Sequence, residues 1–169
     1  MKEYLIVSDT HGFDNRLLTL VYDYPEINGL IFLGDGMSDL ACVRHINPDL
    51  ICYAVKGNCD FCGDVYHGIS CPDERILNLD GHKLMLCHGH YFGAKSSTAH
   101  LLAHGRANHC EAVLFGHSHV PFLGYESEEG QSPCYLFNPG SLGRPADGKP
   151  SYGILQIHAS GLLFSHGKF

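Results

Sequence analysis

Aspartates, histidines and one asparagine recur directly after short apolar runs in this sequence, and these residue types are ligands for divalent cations. The sharpest instance is Gly116-His117-Ser118-His119, two imidazoles one residue apart, introduced by glycine after Ala112-Val113-Leu114-Phe115. Asp9-Thr10-His11 follows Tyr4-Leu5-Ile6-Val7 in the same way, and Gly34-Asp35 follows Leu30-Ile31-Phe32-Leu33. Gly57-Asn58-Cys59-Asp60 follows an apolar run over 51–55, and His88-Gly89-His90 follows Leu84-Met85-Leu86-Cys87. The collected groups are carboxylates, imidazoles and a carboxamide, with no cysteine essential to the set. That mix suits Zn, Mn, Fe or Ni better than a structural zinc cage, and the donors are numerous enough for two ions sharing a bridge.

The elements that must position these residues follow from periodicity. A strand over 2–8 precedes a helix from Asp14, a plausible N-cap, to about residue 24, where Pro25 ends it. Strands over 29–33 and 50–56 flank a short helix over 37–46, and this β-α-β-α-β order predicts parallel pairing with right-handed crossovers. Residues 61–71, rich in Gly and Cys, read as a surface loop with a short edge strand. Asp73 to Leu79 and Lys83 to Cys87 flank the Asp80-Gly81-His82 turn as a hairpin. Ser96 or Ser97 caps a helix to about residue 108, ahead of a strand over 111–115. The last third carries strands over 121–126, 134–138, 151–157 and 161–166. Glu126, Glu128 and Glu129, with Gly130, read as a solvated hairpin tip. The whole reads as one α/β domain over 1–169 with two packed sheets and helices outside. Residues just past the strand ends of such sheets converge on one rim, so distant segments can build one site.

Bulk properties narrow the function. The protein has 169 residues, 44% hydrophobic and 17% charged, which is the profile of a single globular domain. A net charge of -7 argues against a nucleic-acid-binding surface, although bound divalent cations reverse the local field and admit an anionic substrate. No apolar run approaches the roughly 18 residues of a membrane helix, and the first residues read as a strand rather than a signal peptide. The expectation is a cytoplasmic protein without membrane partners. The 8 cysteines then read as reduced thiols, with Cys42, Cys52, Cys87 and Cys110 in or beside apolar segments. Cys59-x-x-Cys62 has no second pair to complete a zinc site. His100 and His104, four apart on the expected helix, lack a third ligand and read as an exposed pair.

Together the five stretches resemble the calcineurin-like metallophosphoesterases, whose pattern is D-x-H, G-D, G-N-x-D/E, a mid-sequence H and then G-H-x-H. The match runs in that order from Asp9 to His119. The protein's size, the Cys-Asp after Asn58 and the His88-Gly89-His90 segment look most like the small YfcE-type bacterial and archaeal branch. The resemblance implies a four-layer α/β/β/α sandwich of two mixed sheets flanked by helices. It implies that Asp9, His11 and His119 hold one divalent ion, that Asn58, His88 and His117 hold a second, and that Asp35 bridges both. Mn is the favoured metal, with Ni, Fe, Zn or Mg as alternatives. A hydroxide shared by the two ions would attack a phosphate ester in line with the leaving oxygen, with phosphodiesters the favoured substrates. The alternatives are a phosphomonoesterase acting on a small metabolite or phosphoprotein, and a non-catalytic scaffold of the same fold. A homodimer is also suggested by the resemblance.

One departure stands out. Many relatives carry His after the ligand Asn, where it is thought to protonate the leaving group or contact the phosphate, whereas Cys59 stands at that position here. A thiol with a reference pKa of about 8.5 is a poor substitute acid. His90 is the replacement the sequence offers, with Asp60 orienting a neighbour. Asn58, Cys59 and His90 would also line the substrate position. Asn138 lies in an Asn-Pro-Gly-Ser loop resembling one that closes near the site, and Arg144 could reach a phosphate oxygen through its planar fork.

Overall fold

The alternation of buried residues along the strands divides the molecule into layers. In the computed structural model, which describes residues 1–127 and 129–169, β1 (Lys2–Val7) sends Leu5 and Val7 to one side and Tyr4 and Ile6 to the other, and all four are buried. Glu128 of the acidic turn lies outside the described residues. A helix, α1 (Asp14–Asp23), leads to β2 (Gly29–Phe32), then α2 (Met37–Ile46) and β3 (Cys52–Ala54). Leu17 and Leu20 of α1 and Leu40 and Val43 of α2 pack on the face formed by Leu5, Val7, Leu30 and Phe32. Strands buried on both faces read as unbroken apolar runs, as these do.

Beyond β3 comes a small ribbon, β4 (Val65–Tyr66) and β5 (Ile69–Ser70), followed by the hairpin β6 (Glu74–Leu79) and β7 (His82–Cys87). A 3-10 turn at His90–Phe92 precedes α3 (Ala99–Ala107) and β8 (Ala112–Leu114). The last elements are β9 (Pro121–Glu126), β10 (Cys134–Pro139), β11 (Ser151–His158) and β12 (Gly161–Lys168). The first sheet has the order β12-β11-β1-β2-β3, and the second β6-β7-β8-β10-β9. Both are mixed: β1, β2 and β3 pair in parallel, as do β7, β8 and β10, while β11, β12, β6 and β9 join antiparallel.

Between the sheets, Tyr4, Ile6 and Ile31 meet Leu84, Leu86, Leu114 and Phe137. On the far face of the second sheet, Met85, Val113 and Leu136 pack against Leu101 of α3. The layers are therefore helices, sheet, sheet, helix, in agreement with the expected sandwich. Among the described residues, no helix is long and apolar enough to cross a membrane.

Several local expectations need correction. Asp14 is the first helical residue rather than the cap; Phe13 occupies the N-cap, where it makes no capping hydrogen bond. Thr98 stands at the N-cap of α3, while the Ser97 hydroxyl accepts the Ala99 N–H. The third strand is shorter than 50–56, and residues 61–71 form their own two-stranded ribbon. The hairpin turn is only Asp80-Gly81, both at positive φ, as a primed two-residue turn requires, so His82 belongs to β7. Cys42 is exposed and Cys52 half-buried, whereas Cys87 and Cys110 are buried.

Candidate metal centre

Five polar residues at the strand ends sit in left-handed backbone: Asp9 (φ 57), His11 (φ 47), Asp35 (φ 58), His117 (φ 66) and His119 (φ 59). Each such non-glycine residue costs roughly 1–2 kcal/mol, a strain typical of functional turns. The turns are held by one another. Asp9 N–H donates to the Gly34 carbonyl at 2.9 Å and His11 N–H to the Asp35 carbonyl at 3.1 Å, carrying the β1–β2 ladder into the loops. The glycine before the His-Ser-His turn is needed by close approach, since a Cβ on Gly116 would overlap the Ser8 hydroxyl and crowd the Asp9 carboxylate.

The functional groups converge. His119 Nε2 lies 3.1 Å from Asp9 Oδ1 and 3.4 Å from His11 Nε2. His11 Nε2 stands 3.7 Å from both Asp9 Oδ1 and Asp35 Oδ2. His88 Nε2 lies 3.8 Å from Asp9 Oδ1 and 3.4 Å from Asp35 Oδ2. Both carboxylates are thus approached from the His11 side and the His88 side. Two triads result, Asp9-His11-His119 and Asp9-Asp35-His88, and a third group joins His11 and Asp35 to Cys59. The His117 ring stands 5.2 Å from that of His88, and its backbone N–H donates to Asp9 Oδ2 at 3.1 Å. Asn58 is exposed, and its amide donates to Cys59 Sγ at 3.3 Å, while Cys59 N–H donates to Asp35 Oδ1 at 2.7 Å.

The donors fit a cationic guest. Asp9 Oδ1 and His88 Nε2 are buried, and the polar atoms nearest to them are one another and the other carboxylates and imidazoles of the cluster, an arrangement that a cation between them satisfies better than the side chains alone. Nδ1–H of His88 donates to the Leu33 carbonyl at 2.7 Å, and Nδ1–H of His119 to the Arg144 carbonyl at 2.7 Å. In the neutral form both histidines therefore aim an Nε2 lone pair inward, as metal-ligating imidazoles usually do.

Electrostatics agree with the geometry. Burial pushes the Asp35 carboxyl up, but hydrogen bonds from His88 and the Cys59 backbone outweigh it and hold the group well below the usual carboxylate range. For His88, burial disfavours the proton, yet Asp35 and Asp9 win and raise its pKa. The hydrogen bond to Asp9 is the largest influence raising His119. Burial is the main cause lowering His11, His90 and His117, the last to about 4, so these imidazoles keep free lone pairs at neutral pH. The raised pKa values of His88 and His119 mark a surplus of negative charge around their Nε2 atoms, which a divalent ion neutralises more fully than a proton does.

Other predicted residues have roles that the fold defines more narrowly. Asp60 accepts four backbone N–H groups, from Asp35 (2.7 Å), Gly36 (2.9 Å), Met37 (2.9 Å) and Gly57 (2.8 Å), and so shapes the loop that carries Asp35. It is a positioning group rather than a catalytic one. Asn138 requires correction as a substrate contact. It is fully buried, its amide donates to the Gly116 carbonyl and Ser118 Oγ, and its Oδ1 accepts Gly140 N–H. Both amide hydrogens are engaged, and burial seals the group from any ligand. Arg144 is exposed, and its charge is felt by His11. His90 is half-buried with its ring 5.4 Å from His88 and 6.0 Å from His117. Burial and Asp35 push the Cys59 thiol up to about 11, leaving it protonated.

Two supports were not singled out as site residues: Asp39 has no signal in the motifs, and Ser141 is the last residue of the Asn-Pro-Gly-Ser loop. Buried Asp39 accepts the Thr10 hydroxyl at 2.5 Å and Gly12 N–H at 2.9 Å, fixing the first loop from α2. Buried Ser141 donates to the Asp9 carbonyl at 2.8 Å and accepts Arg144 N–H at 2.8 Å. Lys95, whose field lowers both His117 and His119, adds a cation near the rim that sequence reasoning missed.

Comparison with known proteins points the same way. The profile of the calcineurin-like phosphoesterase superfamily domain matches residues 2–160. The sequence is 35% identical over 156 residues to "Probable metallophosphoesterase YsnB" of Bacillus subtilis strain 168, covering 90% of the present protein and 83% of that one. It is 35% identical over 106 residues to phosphodiesterase YfcE of Escherichia coli K12, a match spanning 60% of the present protein and 50% of YfcE. Among solved structures, a predicted phosphoesterase from Streptococcus pneumoniae TIGR4 superposes with a TM-score of 0.76 at 22% identity, covering 99% of the present protein and 89% of that one, a likeness of fold.

Proposed function

Because the protein belongs to the calcineurin-like phosphoesterase superfamily, whose members are metal-dependent hydrolases of phosphoric esters, we propose that it is a binuclear phosphodiesterase. Asp9, His11, His119, Asp35, Asn58, His88 and His117 are its ligand set, and Mn is its preferred metal. The observation that supports this most is the pair of triads sharing Asp9, with Asp9 Oδ1 and His88 Nε2 both buried and 3.8 Å apart among carboxylates and imidazoles only. When bound, two divalent ions supply charge for the nonbridging phosphate oxygens and a Lewis-acidic seat for the attacking water.

The protein's own groups do the rest. Hydrogen bonds from His88 to the Leu33 carbonyl and from His119 to the Arg144 carbonyl hold the two rings in one orientation, so little reorganisation accompanies the reaction. Lys95 and Arg144, both felt by the histidines of the cluster, draw an anionic ester to the rim of an otherwise acidic molecule. His90, whose ring stands beside those of His88 and His117, is the residue assigned to the leaving group, as a neutral hydrogen-bond donor because burial lowers its pKa. Cys59 does not supply a strong acid there either. Weak protonation of the leaving oxygen favours phosphodiesters with good leaving groups, such as aryl esters.

The test is to load metal-stripped protein with Mn and assay bis(p-nitrophenyl) phosphate. Turnover is expected, and Asp35→Asn should lower it by about a hundredfold or more together with metal content, since the shared carboxylate loses its charge. Absence of turnover with every divalent ion tried would favour a binding scaffold. Normal metal content and rate in Asp35→Asn would overturn the ligand assignment.

A further inference from the structure

The Cys59-x-x-Cys62 spacing suggests a pair, but the fold divides it. Cys59 Sγ faces His11 and Asp35. Cys62 turns instead to Cys71, with the two Sγ atoms 4.0 Å apart. The segments that carry them are already in register. The β4–β5 ribbon pairs Val65 with Ser70 and Tyr66 with Ile69, and below it Cys71 N–H donates to the Asp64 carbonyl at 2.8 Å. Cys71 Sγ also lies 3.5 Å from the Gly63 carbonyl. Ile69 and Cys71 are buried in the core beneath α1 and α2, and Cys62 and Tyr66 pack against that core from the rim. Bridged sulfurs stand about 2 Å apart, so the two thiols have only about 2 Å left to close.

We propose that Cys62 and Cys71 form a disulfide when the protein meets a peroxide-class oxidant, stapling the base of the β4–β5 ribbon. Half-buried Cys62 is the thiol an oxidant reaches, while burial keeps Cys71 protonated and protected. In the first step the Cys62 sulfur takes one oxygen from the peroxide, giving a sulfenic acid and water. In the second, the Cys71 sulfur displaces that hydroxyl, its own proton leaves with it as a second water, and the S–S bond forms. Two thiols are oxidised by two electrons and one hydrogen peroxide is reduced. The staple would stiffen the wall beside the metal centre, because Cys62 N–H donates to the Asp60 carbonyl at 3.0 Å and the Asp60 carboxylate shapes the Asp35 loop.

The full-length protein is treated with hydrogen peroxide, the remaining thiols are alkylated, and the product is cut with trypsin and chymotrypsin. Cleavage after Phe61, Tyr66 and Arg75 places Cys62 in the peptide 62–66 and Cys71 in 67–75. The expected product is these two peptides joined, about 2 Da lighter than their sum and separated by dithiothreitol. The melting temperature of the oxidised protein should rise by roughly 5 °C as the short loop is closed. Cys59→Ser should keep the link and Cys71→Ser should lose it. A Cys59–Cys62 link, or a Cys62 that ends as sulfinic acid with Cys71 still alkylated, would overturn the proposal.

Discussion

Cys59 follows Asn58 at the point where many relatives carry histidine, and its thiol is held protonated at about 11 by burial and Asp35. Installing an imidazole there tests what the cysteine withholds. Cys59→His should raise turnover of alkyl phosphodiesters about tenfold or more relative to aryl ones, read from kcat/KM against leaving-group pKa. An unchanged slope would mean that leaving-group protonation is not limited at this position. Asp60 calls for a different experiment. Asp60→Asn replaces one acceptor oxygen with an N–H donor aimed at backbone N–H groups, which should cost about 2–3 kcal/mol in urea unfolding and weaken metal binding together. The strand-end carboxylates and imidazoles that the fold brings together were legible in the sequence because such groups directly after apolar runs have few structural reasons to be there. Asp39 and Lys95 were not, because neither sits in a motif, and Ser141 was overshadowed by Asn138 within the same Asn-Pro-Gly-Ser loop. Asn138 misled for the opposite reason: a polar residue in a site-facing loop looks like a contact until its burial and full hydrogen bonding are known.

At the scale of elements, the strands were the clearest feature. Apolar runs such as Leu30-Ile31-Phe32-Leu33 are continuous because one parity meets the helices and the other meets the opposite sheet. Helix starts were less legible, since α1 begins behind Phe13 with its first polar group already inside the helix. The turns after the strands are what convert this regularity into a site, and they depend on backbone approach. Gly116→Ala would drive a Cβ into the Ser8 hydroxyl that donates to Asp9 Oδ2 at 2.6 Å. The expected loss is about 1–3 kcal/mol of stability, with a disproportionate fall in metal affinity because Asp9 and His117 move together. If urea unfolding and metal content were both unchanged, the turn would be shown to have slack that the packing denies.

For the whole molecule, the two sheets and the loops between their strands share one cluster, so metal binding and global stability are linked. An ion that binds only the folded state stabilises it by about 2.7 kcal/mol at a hundredfold excess over its Kd, which corresponds to a rise in melting temperature of roughly 5–10 °C for a protein of this size. Adding Mn to stripped protein should give that rise, and a chelator should reverse it. The effect must also depend on pH in a definite sense. His88 and His119 have pKa values raised above the ordinary imidazole value by Asp35 and Asp9, and the ions compete with those protons for the same Nε2 atoms. Metal affinity therefore increases as pH rises towards and through the raised values, by about tenfold per pH unit for each proton displaced, and levels off above them. Calorimetric titration with Mn between mildly acidic and mildly alkaline pH, repeated in buffers of different ionisation enthalpy, measures both the slope and the proton count. A pH-independent affinity with no proton release would place the ions away from His88 and His119 and separate the metal site from the rim where the strands end.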